Sequence, residues 1–203
     1  MKKLTQREIW EKIAEQWNLY RQKPLQEAID FLKNKKGKVL DLGCGSGRHL
    51  INNPKLEFYE VDFSEEMIKF AKQNAEKKKI NANFSVADAS KLPFEDNFFN
   101  YAIYIAALHC IDSEQLRKES LKELFRVLRP KSQALIIVWS KNHVKLIDRP
   151  KNATITWKKQ TEELQRYYYL YEKEELKELL EKVGFKIVSI EENKNIVVIV
   201  EKK

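Results

Sequence analysis

The order of apolar and amphipathic segments along the chain predicts a parallel, doubly wound α/β sheet whose last strand runs antiparallel. Three observations carry that expectation. Short apolar runs alternate with helix-patterned segments through most of the 203 residues. A glycine-rich turn, "VLDLGCGSGRHL" at 39–50, follows the first apolar run. Two apolar runs near the C-terminus are joined by "ENKN" at 192–195, a hairpin-type connection.

Each element has its own signal. Residues 7–17 carry Ile9, Trp10, Ile13, Ala14 and Trp17 at helical spacing, and 24–33 put Leu25, Ala28, Ile29 and Leu32 on one face. The first strand is expected at 38–42, then a short helix at 48–52 and a second strand at 56–61. Ser64 is the expected N-cap of a helix with a Met67, Ile68, Ala71, Ala75 stripe. Strands three and four are expected at 83–86 and 101–105. Asp112 and Gln115 form a capping-box pattern, and Leu116, Leu121, Leu124 and Leu128 continue that helix to Pro130. A fifth strand is expected at 134–138. Leu176, Leu179, Leu180 and Val183 recur at helical spacing, with Gly184 as the stop. The last strands are expected at 185–190 and 196–200. No repeat or linker interrupts the pattern. The expected organisation is one domain, 1–203, with N-terminal helices at 7–33 and a basic substrate-side insertion at 141–171.

Composition narrows the class. The chain is 43% hydrophobic and 33% charged, as soluble proteins are. No apolar run approaches a membrane span, and the N-terminus has a basic start without an apolar core, so a cytosolic protein is expected. Cys44 and Cys110 sit in no metal-spaced or CxxC pattern, so neither a zinc site nor a disulfide framework is expected. The net charge of +8 suits a polyanion such as RNA, though a lysine-heavy solvated surface would give the same number.

The glycine turn itself discriminates between cofactors. A dinucleotide fingerprint needs a third glycine where Arg48 stands, and Asp41 just before the loop would repel a pyrophosphate. S-adenosylmethionine (SAM) carries no phosphate but has a sulfonium and an ammonium group, which Asp41 attracts directly or through water. Asp62, ending the second strand, is placed to accept from ribose hydroxyls.

With "ADASKLPFEDNFFN" at 87–100 and "LRPKSQALIIV" at 128–138, the chain resembles the class I SAM-dependent methyltransferases. The resemblance implies a Rossmann-like, seven-stranded sheet with helices on both faces. It places Asp88 on the adenine amino group with Ala89 beside it. The implied cofactor-binding set is Asp41, Gly43, Gly45, Gly47, Asp62, Phe63, Asp88, Ala89 and Ala106. The usual Arg-Pro-Gly-Gly turn reads Arg129, Pro130, Lys131, Ser132, so altered geometry is expected there.

Several methyl acceptors are argued against. The Asn/Asp-Pro-Pro-aromatic motif of amino-group methylation is replaced by "IAALHCID" at 105–112. Ring-carbon methylation needs a thiolate; Cys110 lacks the preceding proline and Cys44 lies in the cofactor loop. His109 follows the fourth strand, where it could orient or deprotonate a substrate or cap the loop. "QRYYYLY" at 165–171 combines an arginine with four tyrosines, suited to phosphate and bases or to packing.

Together with "IAEQWNLYRQKPL" at 13–25, "IAALHCI" at 105–111 and "QRYYYLYEKEEL" at 165–176, the glycine loop makes the chain similar to a narrower family. That family is the tRNA wobble-uridine carboxymethyl methyltransferases, which stand alone in yeast and archaea and are fused to an AlkB-type hydroxylase in animals. The resemblance implies methyl esterification of a carboxymethyl group on tRNA uridine. Arg21, His109 and Arg166 would position the acceptor carboxylate or RNA phosphates, and Tyr167 or Tyr168 would stack the base. Cys110 and Tyr169 stand where the family often has histidine. The resemblance also implies a small zinc-ribbon activator chain, and the unprotected edge strand at 83–86 is a candidate dock. A small-molecule methyltransferase and a non-catalytic RNA-binding subunit of the same fold remain alternatives.

Overall fold

The computed structural model describes residues 4–159 and 162–203. Helices α1 (Gln6–Tyr20) and α2 (Gln26–Leu32) lead into β1 (Gly37–Leu42) and β2 (Leu56–Asp62). Then come α3 (Glu65–Lys78), β3 (Ala82–Val86), β4 (Phe99–Ile105), a 3₁₀ turn at Leu108–Cys110, α4 (Glu114–Val127) and β5 (Leu128–Trp139). β6 (Asn152–Lys159), β7 (Glu162–Tyr169), α5 (Lys173–Val183), β8 (Phe185–Glu192) and β9 (Asn195–Lys202) complete the chain. The main sheet has the order β3-β2-β1-β4-β5-β9-β8. Its first five strands are parallel, and β9 runs antiparallel to β5 and β8. This is the doubly wound sheet expected.

Alternate residues of the central strands feed two cores, as the two-residue period of a strand requires. Leu40, Leu42, Tyr104 and Ile136 point to one face and pack with Leu121 and Leu124 of α4 and Leu176 and Leu180 of α5. Val39, Phe58, Ile103 and Leu135 point to the other, under Ala28, Phe31 and Leu32 of α2 and Ala75 of α3. Ser64 caps α3 as expected, its side chain accepting from the Met67 N–H.

Four local expectations are corrected. Residues 48–52 form no helix: Arg48 and His49 lie in a turn and 50–52 are irregular. Pro54 follows closely, and the Lys78 ammonium donates to the carbonyls of Gly47, Arg48 and Leu50, which a helix would have used itself. The N-cap of α4 is Ser113, not Asp112; its hydroxyl accepts from Leu116 N–H at 3.3 Å while Gln115 turns to Glu119. That helix stops at Val127, because Arg129 before Pro130 is steered to extended backbone and β5 already begins at Leu128. The β4–β5 register then jumps from Phe99↔Leu128 to Tyr101↔Gln133, and Lys131 takes a left-handed φ of 64°. The altered geometry expected at 129–132 is therefore a bulge. Finally, β6 and β7 form an antiparallel pair where a basic loop was expected. Their inward residues, among them Leu164 and Tyr168, pack on Ile9, Trp10 and Ile13 of α1.

Gly184 ends α5 with φ +117°, and a Cβ there would stand 3.0 Å from the Phe125 ring. Gly184→Ala should lower unfolding stability by about 1–2 kcal/mol through the left-handed backbone alone, read as a shift in urea midpoint at unchanged m-value.

Candidate active site

The carboxyl ends of β1, β2 and β4 enclose a cavity beneath α1. Its floor is the glycine loop. Gly43 and Cys44 donate backbone N–H bonds to Val61 O at 2.7 and 3.0 Å, which pins the loop to β2. Gly43 has φ +69°, and a side chain there would overlap Ala107 across the cavity. Asp62 fixes the next segment: its carboxylate accepts from Gly45 N–H at 2.9 Å and from Ser64 N–H at 3.0 Å. Burial pushes the Asp62 carboxyl up to about 6, against the two N–H bonds that favour its charged form.

Most of the expected cofactor residues meet at this cavity. Gly43, Gly45, Asp62, Phe63, Asp88, Ala89 and Ala106 all line it. Asp88 uses one oxygen to accept from Ser90 N–H and Oγ at 2.8 and 2.7 Å, which orients the carboxylate at the rim. Two of the set lie elsewhere. Gly47 is a packing position, where a Cβ would stand 3.1 Å from Leu50 and 3.2 Å from Ala71. Asp41 is fully buried below the loop, with His49 Nδ1 at 3.5 Å and the equally buried Glu60 opposite it in the β1–β2 register. Neither carboxylate has a hydrogen-bond partner among the described residues. Burial, then the adjacent Asp41, raises the Glu60 carboxyl well above the carboxylate range. Asp41 therefore belongs to a buried acidic layer under the cavity rather than to its wall.

These residues fit SAM. The Asp62 carboxylate stands against the glycine loop, that of Asp88 stands at the rim, and Phe63 and Leu116 supply apolar wall. Asp62, Asp88 and the loop backbone would hold the cofactor. Trp10 and Trp17 also line the cavity; helical spacing marks them only as apolar, and their place here depends on how α1 crosses the sheet.

The five acceptor-side candidates lie one side-chain layer outside that cavity. His109 is 1% exposed, accepts the Trp139 backbone N–H at its Nδ1 (3.1 Å), and has an unpartnered Nε2. Burial lowers its pKa to about 3. Arg166 is buried, donates to the Tyr168 hydroxyl, and lies 4.7 Å from the Trp157 ring and 5.7 Å from the Trp10 ring. It has no carboxylate partner among the described residues, and desolvation lowers its pKa. Tyr168 is 2% exposed and its ring stacks on Trp139 at 4.4 Å, so it is a packing ring here, not an open face for a base. Tyr167 is half-buried, its hydroxyl donating to Asn152 and receiving Arg117 at 3.3 Å. Arg21 is exposed at the end of α1, 5.2 Å from the Trp17 ring.

Residues 33–184 match a family described as "Methyltransferase domain". A tRNA (carboxymethyluridine(34)-5-O)-methyltransferase of Schizosaccharomyces pombe is 30% identical over 89% of this chain and 88% of its own length. One of Arabidopsis thaliana is 38% identical over 50% of this chain, which spans only 24% of that relative. A solved SAM-dependent methyltransferase of Methanosarcina mazei superposes with a TM-score of 0.74 at 25% identity, covering 89% of this chain and 98% of that one. The domain match and the solved SAM-dependent methyltransferase identify the cofactor of this chain as SAM. A domain match across the sheet and a relative aligned along most of both lengths lead to one assignment: the chain belongs to the SAM-dependent methyltransferases, in the family of tRNA (carboxymethyluridine(34)-5-O)-methyltransferases.

Proposed function

We propose that this chain methylates the carboxylate of a 5-carboxymethyl group on wobble uridine of tRNA, forming the methyl ester. The observation that carries the reading is Arg166, a buried guanidinium beside the cofactor cavity with no anion of its own. A buried charge without a partner is costly, and an incoming carboxylate would compensate it.

SAM, when bound, supplies a methyl group on a positively charged sulfur. An acceptor carboxylate is already ionised at neutral pH, so the chain needs no general base. It needs to orient one oxygen and exclude water. His109 suits orientation only. Its Nδ1 is occupied as an acceptor by the Trp139 N–H, so the neutral ring carries its proton on Nε2 and can donate but not take a proton there. Among the five candidates the buried charged hydrogen-bond donor is then Arg166, with Arg21 left for RNA phosphates. A small-molecule acceptor is less well matched, since the relatives that align over most of this chain are named for a tRNA substrate.

The same reading includes a small zinc-ribbon activator on β3. That strand forms an edge of the sheet with β2 as its one strand neighbour, and its Val86 is 44% exposed. No described helix is long and apolar enough to cross a membrane, and a cytosolic location is part of this proposal.

The purified chain, with SAM and tRNA carrying 5-carboxymethyluridine, should produce an alkali-labile methyl ester detected by nucleoside mass spectrometry. Methylation of a small metabolite but not of this tRNA would overturn the substrate. Arg166→Met, which keeps packing volume, should lower kcat/KM for tRNA about 100-fold, the loss of one charged hydrogen bond of up to ~3 kcal/mol. SAM affinity by calorimetry should be unchanged. Ser85→Pro should weaken activator binding in a pull-down while SAM binding persists.

The His109 pKa has a signed consequence. Folding holds the imidazole neutral, so its contribution to stability is complete above the free value of about 6.5. It is lost as pH falls from there toward about 3. Imidazole NMR should show no His109 titration between pH 8 and 5, and His109→Gln should flatten the fall in stability below pH 6.5. A protonated His109 at pH 6 would remove the donor-only role.

A further inference from the structure

Four aromatic rings run in file from the cavity wall to the surface. Trp10 and Trp17 line the cavity with ring centroids 5.1 Å apart. Trp17 lies 5.9 Å from Trp157 of β6, and Trp157 lies 6.0 Å from Tyr20 at the end of α1. Tyr20 is 67% exposed and tilted 52° from Trp157, which leaves one face of its ring open. The preceding Leu19 is exposed to the same 67%, so the file ends in an apolar patch.

The charges around the file are of two kinds. Two lysines are neutralised, Lys12 by Glu162 at 2.6 Å and Lys158 by Glu163 at 3.7 Å, while Lys159 donates to the Lys12 backbone carbonyl. The guanidiniums are not neutralised. Arg21 stands 5.2 Å from the Trp17 ring and Arg166 stands 4.7 Å from the Trp157 ring, and neither has an ion-pair partner among the described residues. They also face each other closely enough that Arg21 disfavours the charge on Arg166. Open aromatic faces beside unpaired cations bind single-stranded nucleic acid, because every base has a face to stack and every nucleotide a phosphate. An apolar protein segment would fill the patch but leave both cations uncompensated.

Resting on the wobble-uridine reading, we propose that Tyr20, backed by Trp157, stacks the base of a nucleotide flanking the target uridine in the single-stranded anticodon loop, and that Arg21 meets its phosphate. The file gives the strand its direction. The target uridine lies at the cavity end of the file, by Trp10 and Trp17 with Arg166 alongside, and its neighbour lies at the Tyr20 end, so the loop enters along α1 rather than across β3.

Tyr20 is exposed, so its substitution tests contact rather than folding. With an anticodon stem–loop carrying 5-carboxymethyluridine, Tyr20→Ala should raise KM about tenfold or more, with kcat and SAM affinity unchanged. Tyr20→Phe, which keeps the ring, should restore the wild-type KM. The same stem–loop without the modification, followed by fluorescence anisotropy at fixed ionic strength, should bind Tyr20→Ala correspondingly more weakly. Equal anisotropy Kd for wild type and Tyr20→Ala would overturn the proposal. So would a Tyr20-dependent dimer in sedimentation with no effect on RNA, which would make the patch a contact between chains. If the wild type binds the stem–loop through Tyr20 yet transfers no methyl group to it, the wobble-uridine reading fails while the stacking site stands.

Discussion

The carboxylate of Asp62 is the joint on which the cofactor side depends. With one oxygen it holds Gly45 of the glycine loop, and with the other it holds Ser64, the cap of α3. The glycine loop and the start of α3 are thereby fixed relative to one another at the end of β2. The interaction works against desolvation, which is why the carboxyl is raised to about 6 even while accepting two N–H bonds. Asp62 also lines the cavity and each of its oxygens keeps a second lone pair, so a group that organises the loop can also accept from a ligand.

The acceptor side is organised by the opposite imbalance. Beneath the loop, Asp41 lies opposite Glu60, whose carboxyl burial raises well above the carboxylate range. Outside the cavity, Arg166 carries positive charge among tryptophan rings that cannot neutralise it. The rings offer quadrupole attraction without a counter-charge, so the guanidinium is held in place but left electrostatically unsatisfied. A cation held by aromatic faces keeps its geometry when an anion arrives, and a cation already paired with a carboxylate would first have to release it.

The main sheet was legible because its signals are local. Apolar runs, the Ser64 cap and Gly184 each act within a few residues, and each strand of the main sheet lies where its run stands. The cofactor loop was legible for the same reason, since Asp41 through Gly47 are contiguous. The hairpin β6–β7 was less so. Ala153, Ile155 and Trp157 alternate as a strand should, but Lys158 and Lys159 after them and the Tyr167–Tyr169 run mimic a basic loop. Trp10 and Trp17 could not be placed at all from spacing, because helical periodicity tells which face is buried and not what it is buried against. Tyr168 shows the limit for single residues: an Arg-Tyr-Tyr stretch suggests open stacking faces, and the β-strand period instead turns that ring onto Trp139.

The hairpin is sewn to the first helix by contacts between the two ends of the chain. Gln6 donates to Gln165 O at 3.2 Å and accepts the Tyr167 N–H at 2.9 Å, and Lys12 reaches Glu162. These bonds close loops of about the longest sequence separation in the molecule, whereas β1 through β4 are assembled from neighbours. Loop-closure entropy makes such distant contacts late to form. The kinetic order of assembly thus separates the two halves of the site: the nucleotide-cradling half can condense first, and the aromatic wall around Arg166 is added when the tail of the chain folds back onto its head.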